Sequence, residues 1–111
     1  MPKLLLKHEG MILNTYELKE GKTTVGRKSD NDIQLNDADA SSHHACIVLK
    51  PNEYLEEQLD AKFEDMGSTN GTQVNGCLIK SIELRNGDEI QIGSQIFIYE
   101  TEDTIGMDET A

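Results

Sequence analysis

Asn-Gly occurs three times between positions 70 and 87, at Asn70-Gly71, Asn75-Gly76 and Asn86-Gly87. This dipeptide most readily supplies the two positive φ angles of a tight two-residue hairpin. The segments around these turns are short and carry β-like patterning: residues 3–7, 11–18, 23–25, 44–50, 61–64, 72–74, 78–84, 89–92 and 95–100. In Glu89-Ile90-Gln91-Ile92 polar and apolar residues alternate, and Gly93-Ser94 turns the chain into residues 95–100. That pair predicts a hairpin with one face in a core. Short strands, regular turns and no β-α-β rhythm predict an all-β sandwich or barrel.

One segment resists this pattern. Residues 52–60 combine helix formers, a cap candidate in Asn52, and Leu55 and Leu59 four apart, which predicts a long loop with one helical turn. Beyond Glu100 the composition turns to four acids and no base, and residues 101–111 are expected to be a disordered acidic tail behind one domain at 1–100. The 111-residue length fits that single core, and there is no internal repeat.

Charge narrows the classes of partner. With 21 acidic against 10 basic side chains the formal charge is -11, which disfavours nonspecific attraction to nucleic acid or an anionic membrane. Any anion bound here must be gripped locally. Cys46 and Cys77 lie in unlike contexts without C-x-x-C spacing, so neither a disulfide framework nor a zinc ribbon is expected. No apolar run approaches the roughly 20 residues of a membrane helix. The start lacks a signal-peptide core, and the expected setting is cytoplasmic.

Three polar strings interrupt the strands. Gly26-Arg27 closes the segment 23–25, Ser41-Ser42-His43-His44 precedes an apolar strand, and Gly67-Ser68-Thr69-Asn70-Gly71-Thr72 contains a tight turn. Taken singly, each reads as ordinary structure: a strand end with a solvated cation, a serine turn with a structural histidine, a hairpin.

Their order and spacing together resemble the forkhead-associated (FHA) domain family. The likeness runs from about Thr24 to Gly93, through Val25-Gly26-Arg27, Asn31-Asp32-Ile33, Leu35, Asp37, Ser41-x-x-His44-Ala45, Asp65-x-Gly67-Ser68-Thr69-Asn70-Gly71-Thr72, Val74-Asn75-Gly76 and Leu84-x-Asn86-Gly87-Asp88-x-Ile90-x-Ile92-Gly93. The resemblance implies a β-sandwich of two antiparallel sheets, with loops at one end that bind phosphothreonine in an extended peptide. It also implies Arg27, Ser41, Ser42, Thr69 and Asn70 as the phosphopeptide-binding residues. Gly26, Lys28, His44, Asp65, Ser68, Gly71, Asn75 and Gly76 are expected in support, with His44 as a scaffold residue that holds Ser41.

The residue chemistry suits such a ligand. A phosphate monoester carries about -1.5 to -2 charges and three strong acceptor oxygens near neutral pH. Arg27 offers a planar fork able to bond two of them, at roughly 1.5 to 3 kcal/mol for a charge-assisted hydrogen bond. Lysine there would not be equivalent. Ser41 is a compact hydroxyl donor, and Thr69 is expected to line the pocket. An amide such as Asn70 can pair with the ligand backbone, and Gly71 lets the chain turn directly after it. At Ser42, where the family more often has Arg, Lys or Asn, a neutral hydroxyl leaves Lys28 as a helper. That predicts affinity of about micromolar order, near -8 kcal/mol. Threonine should be preferred to serine, since one buried methyl contributes about 0.8 kcal/mol and β-branching reduces the rotamers lost.

The same residues admit three other readings. A hydrolase lacks a G-x-S-x-G elbow and has its serines beside its histidines in one loop. A metal site at His43, His44 and Cys46 is opposed by strand geometry, which turns neighbouring side chains to opposite faces. A phosphate-independent protein-protein interaction module or scaffold on the same fold would have no need of Arg27, Ser41, Thr69 and Asn70 together. The expected protein is therefore a non-enzymatic monomer without cofactor or metal. Its expected partner is a phosphothreonine protein, the substrate of a Ser/Thr kinase, with basic patches. Thr101 and Thr104, set among acids, suggest a phosphorylated tail that occupies the binding loops itself.

Overall fold

The computed structural model describes residues 2–54 and 59–101. Its strands are β1 (Lys3–His8), β2 (Met11–Glu17), β3 (Gly21–Gly26), β4 (Ile33–Gln34), β5 (Ala45–Pro51), β6 (Leu59–Asp65), β7 (Thr72–Val74), β8 (Cys77–Ile79), β9 (Ser81–Leu84), β10 (Glu89–Ile92) and β11 (Gln95–Glu100). They form a six-stranded sheet in the order β2-β1-β11-β10-β7-β8 and a five-stranded sheet in the order β4-β3-β5-β6-β9. All pairings are antiparallel except β3 with β4, which is parallel. Among the described residues there is no helix, and none long and apolar enough to cross a membrane.

The core lies between the sheets. In β10, Ile90 and Ile92 are buried while Glu89 and Gln91 face solvent, the alternation expected of a half-buried strand. Phe97 and Tyr99 of β11, Leu4 of β1 and Phe63 of β6 supply the bulk, each about 2% exposed or less. Tyr16 stacks obliquely on Phe97, with ring centroids 6.3 Å apart.

The structure differs from the sequence expectation at four points. Residues 78–84 are not one strand: β8 belongs to the six-stranded sheet and β9 to the other, with Lys80 between them. Ile79 and Ile82 both pack against the core. Three residues apart, they cannot share a face of one continuous strand, so the chain breaks and changes sheet. Leu59 and Asp60 open β6 instead of ending a loop, and Asn52 Oδ1 accepts the Tyr54 amide at 2.8 Å in a local turn. The proposed helical turn falls on residues 55–58, outside the described residues. β4 is two residues long and escaped any periodic signal. Only one Asn-Gly forms the expected hairpin: Asn75 and Gly76 have φ of 53° and 85° between β7 and β8. Asn70-Gly71 and Asn86-Gly87 lie where the chain crosses between sheets, with the positive φ on the glycine alone. The other two-residue turn with both φ positive is Glu9-Gly10, joining β1 to β2.

The strand directions put the end of β3, the start of β5, the end of β6, the start of β7 and the β10–β11 turn at one end of the sandwich. β11 runs away from that end. Its last residue, Glu100, lies by the Asn86-Gly87 turn, where the Gly87 amide bonds the Tyr99 carbonyl.

Candidate functional site

Two loops leave the five-stranded sheet side by side, residues 27–32 after β3 and residues 35–44 before β5. Their backbones are tied directly: the Arg27 amide donates to Ser41 O at 3.0 Å and the Lys28 amide to Ser42 O at 3.2 Å. Asn31 Nδ2 adds bonds to Lys28 O at 2.9 Å and Ser42 O at 2.8 Å. Gly26 is required by this approach and not by its φ, because a Cβ there would stand 2.2 Å from Ser42 O. Arg27 is exposed and donates through Nε to Ala40 O at 3.1 Å. That bond engages Nε and leaves the two amino groups of the guanidinium able to serve a further acceptor.

The third loop, residues 66–71, joins them through hydroxyl chemistry. The Thr69 amide donates to Ser41 Oγ at 3.0 Å, so the serine hydrogen remains available to a further acceptor. Asn70 Nδ2 donates to Asp39 O at 3.0 Å, anchoring an exposed amide across loops 31 residues apart. Arg27, Lys28, Thr69 and Asn70 are exposed, and Ser41 and Ser42 are half-buried.

His44 lies beneath, fully buried. Its Nδ1 accepts the Ser41 amide at 3.1 Å, which assigns the hydrogen to Nε2. Nε2 in turn faces Gly71 O and Thr72 Oγ1, each at 3.1 Å. Thr72 Oγ1 donates to Asp65 Oδ2 at 2.8 Å. The Asp65 carboxylate also accepts the Gly67 and Ser68 amides and the Ser68 hydroxyl, at 2.9, 2.8 and 2.6 Å. Ser68 Oγ accepts the Gly71 amide at 2.9 Å. Partial burial pushes the Asp65 carboxyl up, but the bonds from Ser68, Thr72 and Gly67 outweigh it and hold it below the ordinary carboxylate range.

This geometry bears on the other chemistries. The Ser41 contact to His44 is made by the backbone amide, and the other ring nitrogen faces Gly71 and Thr72, so no serine-histidine nucleophile pair is formed. His43 turns outward to Asp30, whereas His44 and Cys46 are buried. Among the described residues no three metal-binding side chains converge.

Asn75 and Gly76 stand apart from the cluster, at the far end of β7. There the Asn75 side chain donates to Asp88 Oδ1 and accepts the Glu89 amide, both at 2.9 Å. Gly71, with φ of 82°, lies under Leu78 of β8, whose Cδ1 would be 2.8 Å from an added Cβ. The roles of Thr72, Asn31 and Asp39 escaped the sequence reading. So did the role of Asp37, which accepts the Asp39 and Ser94 amides at 2.9 and 2.8 Å. The Ser94 hydroxyl and amide, with the Asp39 amide, lower its pKa from 3.8 to about 2. Ser94 is 57 residues from Asp37, so no local pattern could signal that bond. Beside Asn70 a cavity of about 320 Å³ is lined by Asp39, Asn70, Gly71, Gln73, Gln91 and Gly93.

The chain is similar to known proteins. Residues 23–93 match the FHA domain family. The glycogen accumulation regulator GarA of Mycobacterium tuberculosis is 38% identical over 106 residues, 96% of this chain and 61% of GarA. The chain thus spans about three-fifths of that relative's length. Among solved structures, one from a structural and functional analysis of phosphothreonine-dependent FHA domain interactions has a TM-score of 0.77 at 31% identity, covering 90% of this chain and 95% of the other. The FhaA FHA domain in complex with the intracellular domain of Rv3910 has a TM-score of 0.75 at 32% identity, covering 90% and 100%. With the two-sheet sandwich, the loop seam of Gly26 and the buried His44 in place, the family match over most of the strands closes the question of kinship: the chain belongs to the FHA domain family.

Proposed function

We propose that this domain reads phosphothreonine in extended peptide segments of partner proteins in Ser/Thr kinase signalling, and that it catalyses no reaction. The observation that carries the proposal is the meeting of Arg27, Ser41, Thr69 and Asn70 on three loops at one end, with Ser41 Oγ taking the Thr69 amide and keeping its hydrogen for an acceptor. Arg27 supplies the fork, Ser41 and Ser42 the hydroxyls, Lys28 a second charge, and Asn70 the contact to ligand backbone. His44, Asp65, Ser68 and Gly71 hold the loops, and Gly26 allows their approach. The phosphothreonine-dependent interactions of the similar FHA domain support the ligand class.

The cavity beside Asn70 receives a neighbouring ligand side chain. Its wall of Asp39, Asn70, Gln73 and Gln91 favours a polar or cationic group over an apolar one. The domain occupies residues 1–100, and 101–111 form its acidic appendage.

The test is a titration of labelled protein with a degenerate phosphothreonine peptide pool and its unphosphorylated twin, repeated with Arg27→Ala. Binding of the phosphorylated pool alone, at micromolar order and only with Arg27 present, is the expected result. Equal binding of both pools would point to a phosphate-independent interaction surface.

A further inference from the structure

The two loops that carry Arg27 and Ser41 are already joined by backbone bonds and by Asn31. A further link crosses them on the solvent side. His43 Nε2 stands 3.1 Å from both carboxylate oxygens of Asp30, with side-chain exposures of 48% and 66%. An exposed pair of this kind adds little to stability, and the seam beneath does not need it. It does place a negative charge inside the loop that presents Arg27 and Lys28, and it holds a potential cation one residue from Ser42. The His43 hydrogen bond holds the Asp30 carboxyl below its ordinary range, with a further contribution from Lys28. Asp30 and His43 thus pair across the two loops whose backbones also carry Arg27, Lys28, Ser41 and Ser42.

We propose that Asp30 is a resident anion beside the ligand site, paired with His43 across the two loops, so that the Asp30/His43 pair sets the strength of phosphothreonine binding. This rests on the proposed reader function. When protonated, His43 contributes the positive character that the neutral Ser42 does not, and Asp30 moderates it.

The decisive variants are Asp30→Asn, which keeps the size and hydrogen-bonding capacity of Asp30 but removes its charge, and His43→Gln, which keeps a donor but removes the ring. Each is titrated with the phosphothreonine peptide pool beside the wild type, Arg27→Ala and the double variant, with thermal melts to confirm folding. D30N should bind about two- to fivefold more tightly, the size that an exposed pair supports. H43Q should weaken binding and shrink the gain from D30N, and the gain should fade in 1 M salt, where charges are screened over about 3 Å. A merely structural role for Asp30 would give equal or weaker binding instead. If Arg27→Ala abolishes binding while D30N and H43Q match the wild type, this inference fails and the reader function stands. If the wild type does not separate the two pools, both fail.

Discussion

Hydrogen bonds run from Asp65 through Thr72 and the buried His44 to the Ser41 amide, and the Ser41 hydroxyl accepts the Thr69 amide. Each member fixes the next, so the Ser41 hydroxyl is positioned from beneath by His44, Thr72 and Asp65. Thr72→Val keeps the shape and removes one link. Denaturant unfolding should show a loss of about 1 to 2 kcal/mol, and phosphopeptide affinity should fall with it. At the surface, Arg27→Ala should weaken binding about 10- to 100-fold, and Arg27→Lys should recover only part of that, because an ammonium cannot reproduce the fork. Titration of the three proteins checks this directly. Gly26→Ala would press a methyl against the Ser42 carbonyl. Its melting temperature should drop by several degrees, with the binding loops displaced.

The elements meet at the ligand end through Asp37, whose carboxylate ties the loop before β5 to the β10–β11 turn at Ser94. Its pKa is lowered from 3.8 to about 2, so its contribution to stability is complete above about pH 4 and is lost as pH falls toward 2. Asp37→Asn should flatten the pH dependence of unfolding in that window and leave the slope near neutrality unchanged. The strands were largely legible: alternation gave β10, the Gly93-Ser94 turn gave its hairpin partner β11, and the apolar run from Ala45 gave β5. Two features were not read. The break between β8 and β9 was visible only in the spacing of Ile79 and Ile82, and β4 is too short for any period. For the site, motif order brought Arg27, Ser41, Thr69 and Asn70 together, whereas the Thr72 and Asp37 bonds depend on tertiary geometry.

For the whole molecule, the charge of -11 sets the terms of encounter. Association with a basic-flanked phosphopeptide should slow markedly as salt rises, whereas dissociation should change less; stopped-flow mixing at two ionic strengths separates the two. The direction of β11 has a further consequence for the suggested phosphorylation of Thr101 and Thr104. Six residues of strand, about 20 Å, separate the ligand end from Glu100. Thr104 follows by four residues, a reach of about 14 Å at full extension. A phosphoryl group on Thr104 that occupies the loops of its own copy would leave the affinity for an external phosphopeptide independent of protein concentration, whereas one that occupies a neighbour's loops would make it concentration-dependent. Links between copies would close into rings or run on as open strings according to the rotation between neighbours, and dilution alone would dismantle either.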